Sequence, residues 1–131
     1  MSVASEYLYT KLTTDSGITA IVGQRIFKYV APEGTAFPFI VIQEVTGTPV
    51  SNYTADIIGD RENWIIKVYD KGNSDIQADT IDRMIRTLLH KSSGAGVVYC
   101  TAGMRRPQSD TDANKNPIKG IIRNYEIFTQ E

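Results

Sequence analysis

One apolar stripe constrains this chain more than any other feature of it. Ile81, Met84, Ile85, Leu88 and Leu89 recur at i, i+3, i+4, i+7 and i+8, the spacing that gathers side chains on one side of an α-helix. Ser74 and Gln77 precede the stripe as a capping-box pair, which satisfies free amides at a helix start, and Asp75 suits the positive end of the helix dipole. Asp79 with Arg83 and Asp82 with Arg86 are acid-first pairs on the solvated side, each contributing about 0.2–0.5 kcal/mol. His90 and Lys91 complement the last carbonyls, and Gly94 closes the run. The pattern predicts a helix over about 74–91 whose buried side must rest on a sheet or on other helices.

The rest of the chain supplies both. Ala4, Leu8, Lys11 and Leu12 form a second stripe, flanked by Val3 and Tyr7, which predicts a helix over 2–13 capped by Ser2. Asp15-Ser16-Gly17 ends it, and Ile18, Ile21 and Val22 mark one further turn stopped by Gly23. Strands are expected at 25–29, 39–45, 64–70, 97–104 and 120–129. Pro38 opens the second of these and Gly47-Thr48-Pro49 breaks it. Residues 50–62 are an irregular or hairpin-like excursion, and 107–117 a polar loop. The expected fold class is α+β, with a mixed, largely antiparallel sheet, the long helix at about 74–91 and the N-terminal helix packed on it. A chain of 131 residues with no internal repeat or linker is expected to form a single domain, 1–131.

Two of the strands, around Phe39–Ile42 and Ile121–Phe128, are apolar on both faces. One long helix and one shorter one cover only part of such a sheet, so helices lie on both sides or a second subunit covers part of one face. The second arrangement is the expectation here.

Composition removes several classes of function. Fourteen basic against fifteen acidic residues give a net charge of -1, with no global excess to meet a phosphate backbone. The longest apolar runs fall well short of the roughly 20 residues of a membrane span, and the first residues lack the pattern of a signal peptide. The single cysteine, Cys100, sits in an apolar strand-like run and is expected to be buried and inert. The single histidine, His90, rules out a multi-histidine metal site within one subunit.

Asp110, Asp112 and Asn114 place oxygens as at the start of a calcium loop. Lys115 then stands where glycine is needed, and Ile121 where a bidentate glutamate is needed. Gly94-Ala95-Gly96 is too short, and lies in the wrong order, for a phosphate cradle. No nucleophile-elbow or nucleotide motif occurs. Catalytic residues, cofactor and metal are all expected to be none, and the chain is not expected to be an enzyme.

Three features in order resemble the tail-completion (tail-terminator) family of long-tailed bacteriophages. They are Ile26-Phe27-Lys28-Tyr29-Val30-Ala31-Pro32-Glu33-Gly34-Thr35 followed by Phe37-Pro38-Phe39-Ile40-Val41; Val68-Tyr69-Asp70 ahead of the Ser-capped helix ending in Leu88-Leu89; and a closing strand after a polar loop with Asp110 and Asp112. Tyr69-Asp70 replaces the commoner Trp-Ser of that family. The resemblance implies a homo-oligomeric ring, a hexamer, on the head-proximal end of the tail tube. Such a ring would stop tube growth and join the head, its partners being copies of itself, the major tail tube protein and the head connector. DNA would pass through the lumen without sequence-specific contact, and no membrane is involved. The chain would be assembled in the host cytoplasm and end in the virion. The competing readings are a head-completion or connector adaptor of the virion neck and a small α+β ligand-binding module. The family offers no catalytic motif to transfer, so contact residues follow from exposure: Tyr53, Asp56, Arg61, Arg105, Arg106 and Asp110, on the two polar excursions and beside them.

Overall fold

The computed structural model describes residues 3–72, 76–111 and 115–130. Its elements are α1 (Val3–Thr14), α2 (Ser16–Val22), β1 (Ile26–Lys28), β2 (Phe39–Ser51), β3 (Ile57–Lys71), α3 (Ile76–Leu89), β4 (Ser92–Gly94), β5 (Val97–Thr111) and β6 (Pro117–Gln130). The strands form one six-stranded sheet in the order β1-β2-β3-β6-β5-β4, with β1 parallel to β2 and every other pair antiparallel. The fold is therefore the α+β class that the sequence predicts.

The helices occupy one face of this sheet. From α1 come Ala4, Tyr7, Leu8 and Leu12, from α2 Ile18 and Val22, and from α3 Ala78, Ile81, Ile85 and Leu89. They meet Ile40, Ile42, Trp64, Ile66, Val68, Ile121, Tyr125 and Ile127 of the central strands in one core. Asp15 both ends α1 and caps α2, accepting the Ile18 amide at 2.9 Å. Among the described residues no protein group pairs with the phenolic oxygen of Tyr125, which is buried there. An unpaired buried hydroxyl costs about 1–3 kcal/mol. Tyr125→Phe should thus raise stability by roughly 1 kcal/mol, read as a higher urea midpoint with an unchanged m-value.

Several expectations need correction. The long helix ends at Leu89, and the left-handed residue beyond it is Lys91 (φ 65), not Gly94. The Lys91 amide is taken up by the Cys100 carbonyl at 2.7 Å, and Gly94 belongs to β4. Asp82 does not pair with Arg86 on the wet side; it is 2% exposed and binds Arg123 of β6. The proposed caps Ser2 and Ser74 lie outside the described residues, as do Asp75, read as complementing the helix dipole, and Asp112 and Asn114 of the calcium-like segment.

Of the two readings of 50–62 the hairpin-like one holds, but Gly47-Thr48-Pro49 does not break β2, and 107–111 is strand where a polar loop was expected. β2 pairs with β3 as far as Ser51↔Ile57, and β5 pairs with β6 as far as Thr111↔Pro117. Both prolines are tolerated for one reason. The Ile40 amide donates to Arg25 and the Ile42 carbonyl accepts from Tyr29, so these residues face outward from the sheet. A bulge after Glu44 shifts the alternation, and Gly47 and Pro49 then face outward. Likewise Cys100 and Ala102 face outward, and a bulge between Ala102 and Arg105 turns Arg105 and Pro107 outward. Neither proline sits where the ladder needs its missing N–H.

The result is two long hairpins. In the first, Asn52 closes the turn, its side-chain oxygen accepting from the amides of Thr54 at 2.9 Å and Asp56 at 3.1 Å. Because the Ser51↔Ile57 end of the sheet is also the end of β6 (Gly59↔Gln130), while Thr111↔Pro117 lies beside Lys71↔Ile118, the two hairpins point in opposite directions. Gly59 holds the first arm to β6, where an added Cβ would lie 2.2 Å from the Thr129 carbonyl oxygen.

Candidate functional site

The sheet face opposite the helices carries Phe39, Val41, Ile65, Tyr69, Ile122 and Phe128, most of them half-buried. Aromatic rings tile it, with Phe39 5.3 Å from Tyr69 and 5.2 Å from Phe37, and Tyr99 stacked on Phe128 at 5.6 Å. Such pairs contribute about 0.5–1.5 kcal/mol each beyond area. Among the described residues no helix covers this face, so of the two arrangements offered for the doubly apolar strands, helices on both sides is not the one seen.

The six residues singled out from sequence do not converge on one place. Tyr53, fully exposed, and Asp56 stand at the tip of the β2–β3 hairpin. Arg61 lies on the uncovered face, 2.8 Å from Glu126, which also accepts from the Tyr99 hydroxyl at 3.3 Å. Tyr99, then Glu126, hold the Arg61 guanidinium in its charged form. Arg106 borders a shallow hollow on the same face with Gln43, Thr46, Asn63 and Asn124. Asp110 is on the arm of the β5–β6 hairpin, paired in register with Ile118.

Arg105 turns to the helix side, where it contacts Asp79 at 2.5 Å and approaches Asp82 at 3.8 Å. Sequence reasoning missed this cluster. Arg123 donates to Asp82 through Nε (3.1 Å) and Nη2 (2.8 Å), and through Nη1 to the Gly103 carbonyl (3.1 Å). The signal was present: Asp82 falls between Ile81 and Ile85 at the edge of the apolar stripe, and Arg123 alternates in phase with Ile121 and Tyr125.

Asp79 is held below the usual carboxylate range, first by the hydrogen bond from Arg83 (2.9 Å) and also by Arg105. A depressed folded-state value means stability that is present above the ordinary carboxylate range and lost as pH falls through the lowered one. Asp79→Asn should accordingly flatten the acid limb of the stability profile, checked by urea midpoints between about pH 2 and 7.

Cys100 is buried, and burial pushes its thiol up to about 12, as expected of an inert core residue. His90 is exposed and its Nδ1 accepts the Ala102 amide at 3.0 Å, so it holds the β5 bulge. Among the described residues no three metal-binding side chains come together, and no helix is long and apolar enough to cross a membrane.

The fold matches a chain in the virion of a native gene transfer agent particle, with a TM-score of 0.78 at 15% identity, over 95% of this chain and 92% of that one. A second solved chain matches with a TM-score of 0.53 at 12% identity, over 97% and 96%. No curated sequence matches. The model of the family described as "Tail completion protein gp17" matches residues 6–128. The solved structures share the fold, and the family model, which covers most of the chain, defines its class as a phage tail-completion protein. The chain belongs to the tail completion protein gp17 family.

Proposed function

We propose that copies of this chain close into a ring on the head-proximal end of the tail tube, stop further addition of tube subunits and join the tube to the head connector. The observation that carries this reading is the family match over 6–128, read together with the two arms. A capping ring needs two unlike faces, one for the tube and one for the connector. A sheet with hairpins projecting from opposite ends provides them in one small domain. The aromatic face that no helix covers adds a surface for contact between subunits. A heterologous contact repeated around an axis closes when its rotation divides the circle, and six copies is the number that the family resemblance implies. Tyr53, Asp56, Arg61, Arg105, Arg106 and Asp110 are proposed as contact residues, of which Tyr53 and Asp56 at the exposed tip suit a partner beyond the ring. DNA passes through the opening, and the low net charge suits a path that must not hold it. The chain acts by shape and binding, without a reaction.

The test is electron microscopy of tails assembled with and without the protein. Its absence should give overlong tubes, or tubes of normal length that never attach to heads, and adding the purified protein back should restore both. Unchanged tails, or labelled protein found only on the head side of the neck, would overturn the reading.

A further inference from the structure

The sheet leaves one stretch of edge unpaired on each side among the described residues. β1 covers β2 only at Ile40, Val41 and Ile42, so β2 is open from Gln43 to Ser51. β4 pairs β5 only at Val97 and Cys100, and the Ala102 amide is taken by His90, so β5 has no strand partner on its outer side from Gly103 to Thr111, although at the two ends the Gly103 carbonyl accepts from Arg123 and the Thr111 amide donates to the Asp110 side chain. The two open stretches are of equal length, lie on opposite edges and run antiparallel to each other.

We infer that, within the ring proposed above and resting on that reading, the open edge of β2 in one copy pairs with the open edge of β5 in the next, joining the sheets of neighbouring subunits into one continuous wall.

Three observations carry this. The first is polarity. A rotation about an axis near the strand direction preserves strand sense, so the β5 edge of one copy meets the β2 edge of its neighbour as an antiparallel pair. The second is offset. Gly47, the centre of the β2 stretch, shares a row with Glu62, Ile127 and Cys100, whereas Pro107, the centre of the β5 stretch, shares one with Ile121, Val68 and Ile40. Glu62 to Val68 is an offset of about 20 Å along the strands, against about 19 Å across the four strands β2, β3, β6 and β5. A ring that brings the stretches level therefore tilts its strands by about 45°, at the upper end of the range found when sheets close into barrels. In that stagger β1 and β4 fall beside the contact and not within it.

The third is charge. In the segment 43–62, Glu44, Asp56, Asp60 and Glu62 outweigh the single Arg61, whereas in 103–121, with Arg105 already engaged by Asp79, Arg106, Lys115 and Lys119 still outweigh Asp110 and Asp112. An acidic arm thus meets a basic one around the ring, and each copy is mismatched to itself edge for edge. Pro49 and Pro107 each remove one donor from their edge, so the proposed pair, like any other strand laid on these edges, forgoes two amide bonds.

The experiment combines Gly47→Cys with Pro107→Cys, Ser109→Cys or Thr111→Cys in one chain, since all four positions face outward on the helix side. Protein assembled on tube ends is oxidised and run without reductant. The wall predicts a ladder of covalent multimers for at least one combination and none for any single variant, with the native buried Cys100 silent. A second readout uses the unaltered chain. Amide exchange at Gly47 and Ser109 should slow on the order of tenfold or more on assembly. Rings seen by microscopy without a ladder and without that protection would overturn the strand contact and leave the ring. Native protein that forms no ring on tube ends would overturn both.

Discussion

Asp82→Ala is expected to cost the protein about 3–5 kcal/mol, enough to remove much of the stability of a chain this size. The reason lies in what remains. Arg123, 7% exposed, keeps its charge inside the helix–sheet layer and retains only the Gly103 carbonyl and distant Asp79. An uncompensated buried charge is far more expensive than the net contribution of the pair it came from. The same logic predicts an asymmetry. Replacing both partners, as in Asp82→Leu with Arg123→Met, should come out near neutral or even stabilising, because the desolvation of two ions disappears together with their attraction. Urea unfolding of the two singles and the double in a mutant cycle checks this. A double variant as unstable as the worse single would show that the pair is required for the fold itself. The β5 bulge at Gly103, which Arg123 ties down, should loosen in Asp82→Ala, visible as faster amide exchange at Ala102.

Trp64→Ala should cost a similar amount, about 3–5 kcal/mol. Trp64 is 1% exposed in the middle of β3, between Glu44 of β2 and Tyr125 of β6 in register. The milder Trp64→Phe separates volume from hydrogen bonding. The indole Nε1 donates to Glu62 at 3.1 Å, and Glu62 is itself 8% exposed. Burial pushes the Glu62 carboxyl up, the indole bond draws it back, and nearby Glu44 and Asp60 push it further up. A raised acid opposes folding above its ordinary range, so its unfavourable contribution fades as pH falls into that range. Without the indole donor the upward displacement grows. Trp64→Phe should therefore lose about 1.5–3 kcal/mol at neutral pH, and less in acid where Glu62 is protonated. Chemical unfolding at pH 4.5 and 7.5 distinguishes this from a pure packing loss, which would be equal at both.

The helices were legible because burial on one side imposes a period that few other arrangements imitate. Ile81, Ile85 and Leu89 are buried as their spacing demands, and Leu8 and Leu12 likewise. The short strands around Ile40, Ile66 and Ile127 were legible for the matching reason at period two. The arms were not. Residues 46–51 and 107–111 bury little, so no hydrophobic alternation marks them, and glycine and proline there look like breaks. Only pairing across the hairpin shows that each proline faces away from its partner strand. The Asp82–Arg123 pair was hidden by a different ambiguity: on a helix edge an aspartate has the same sequence signature whether it meets water or a guanidinium from a strand 41 residues away. Of the proposed contact residues, sequence located those on the arms but could not tell that Arg105 would already be engaged by Asp79.

The chain's one native thiol, shut behind the Leu89–Ser92 corner and the β5–β6 ladder, has a practical side. A maleimide dye or spin probe attached through a newly introduced surface cysteine would report from that site alone, without first stripping the protein of its own sulfhydryl.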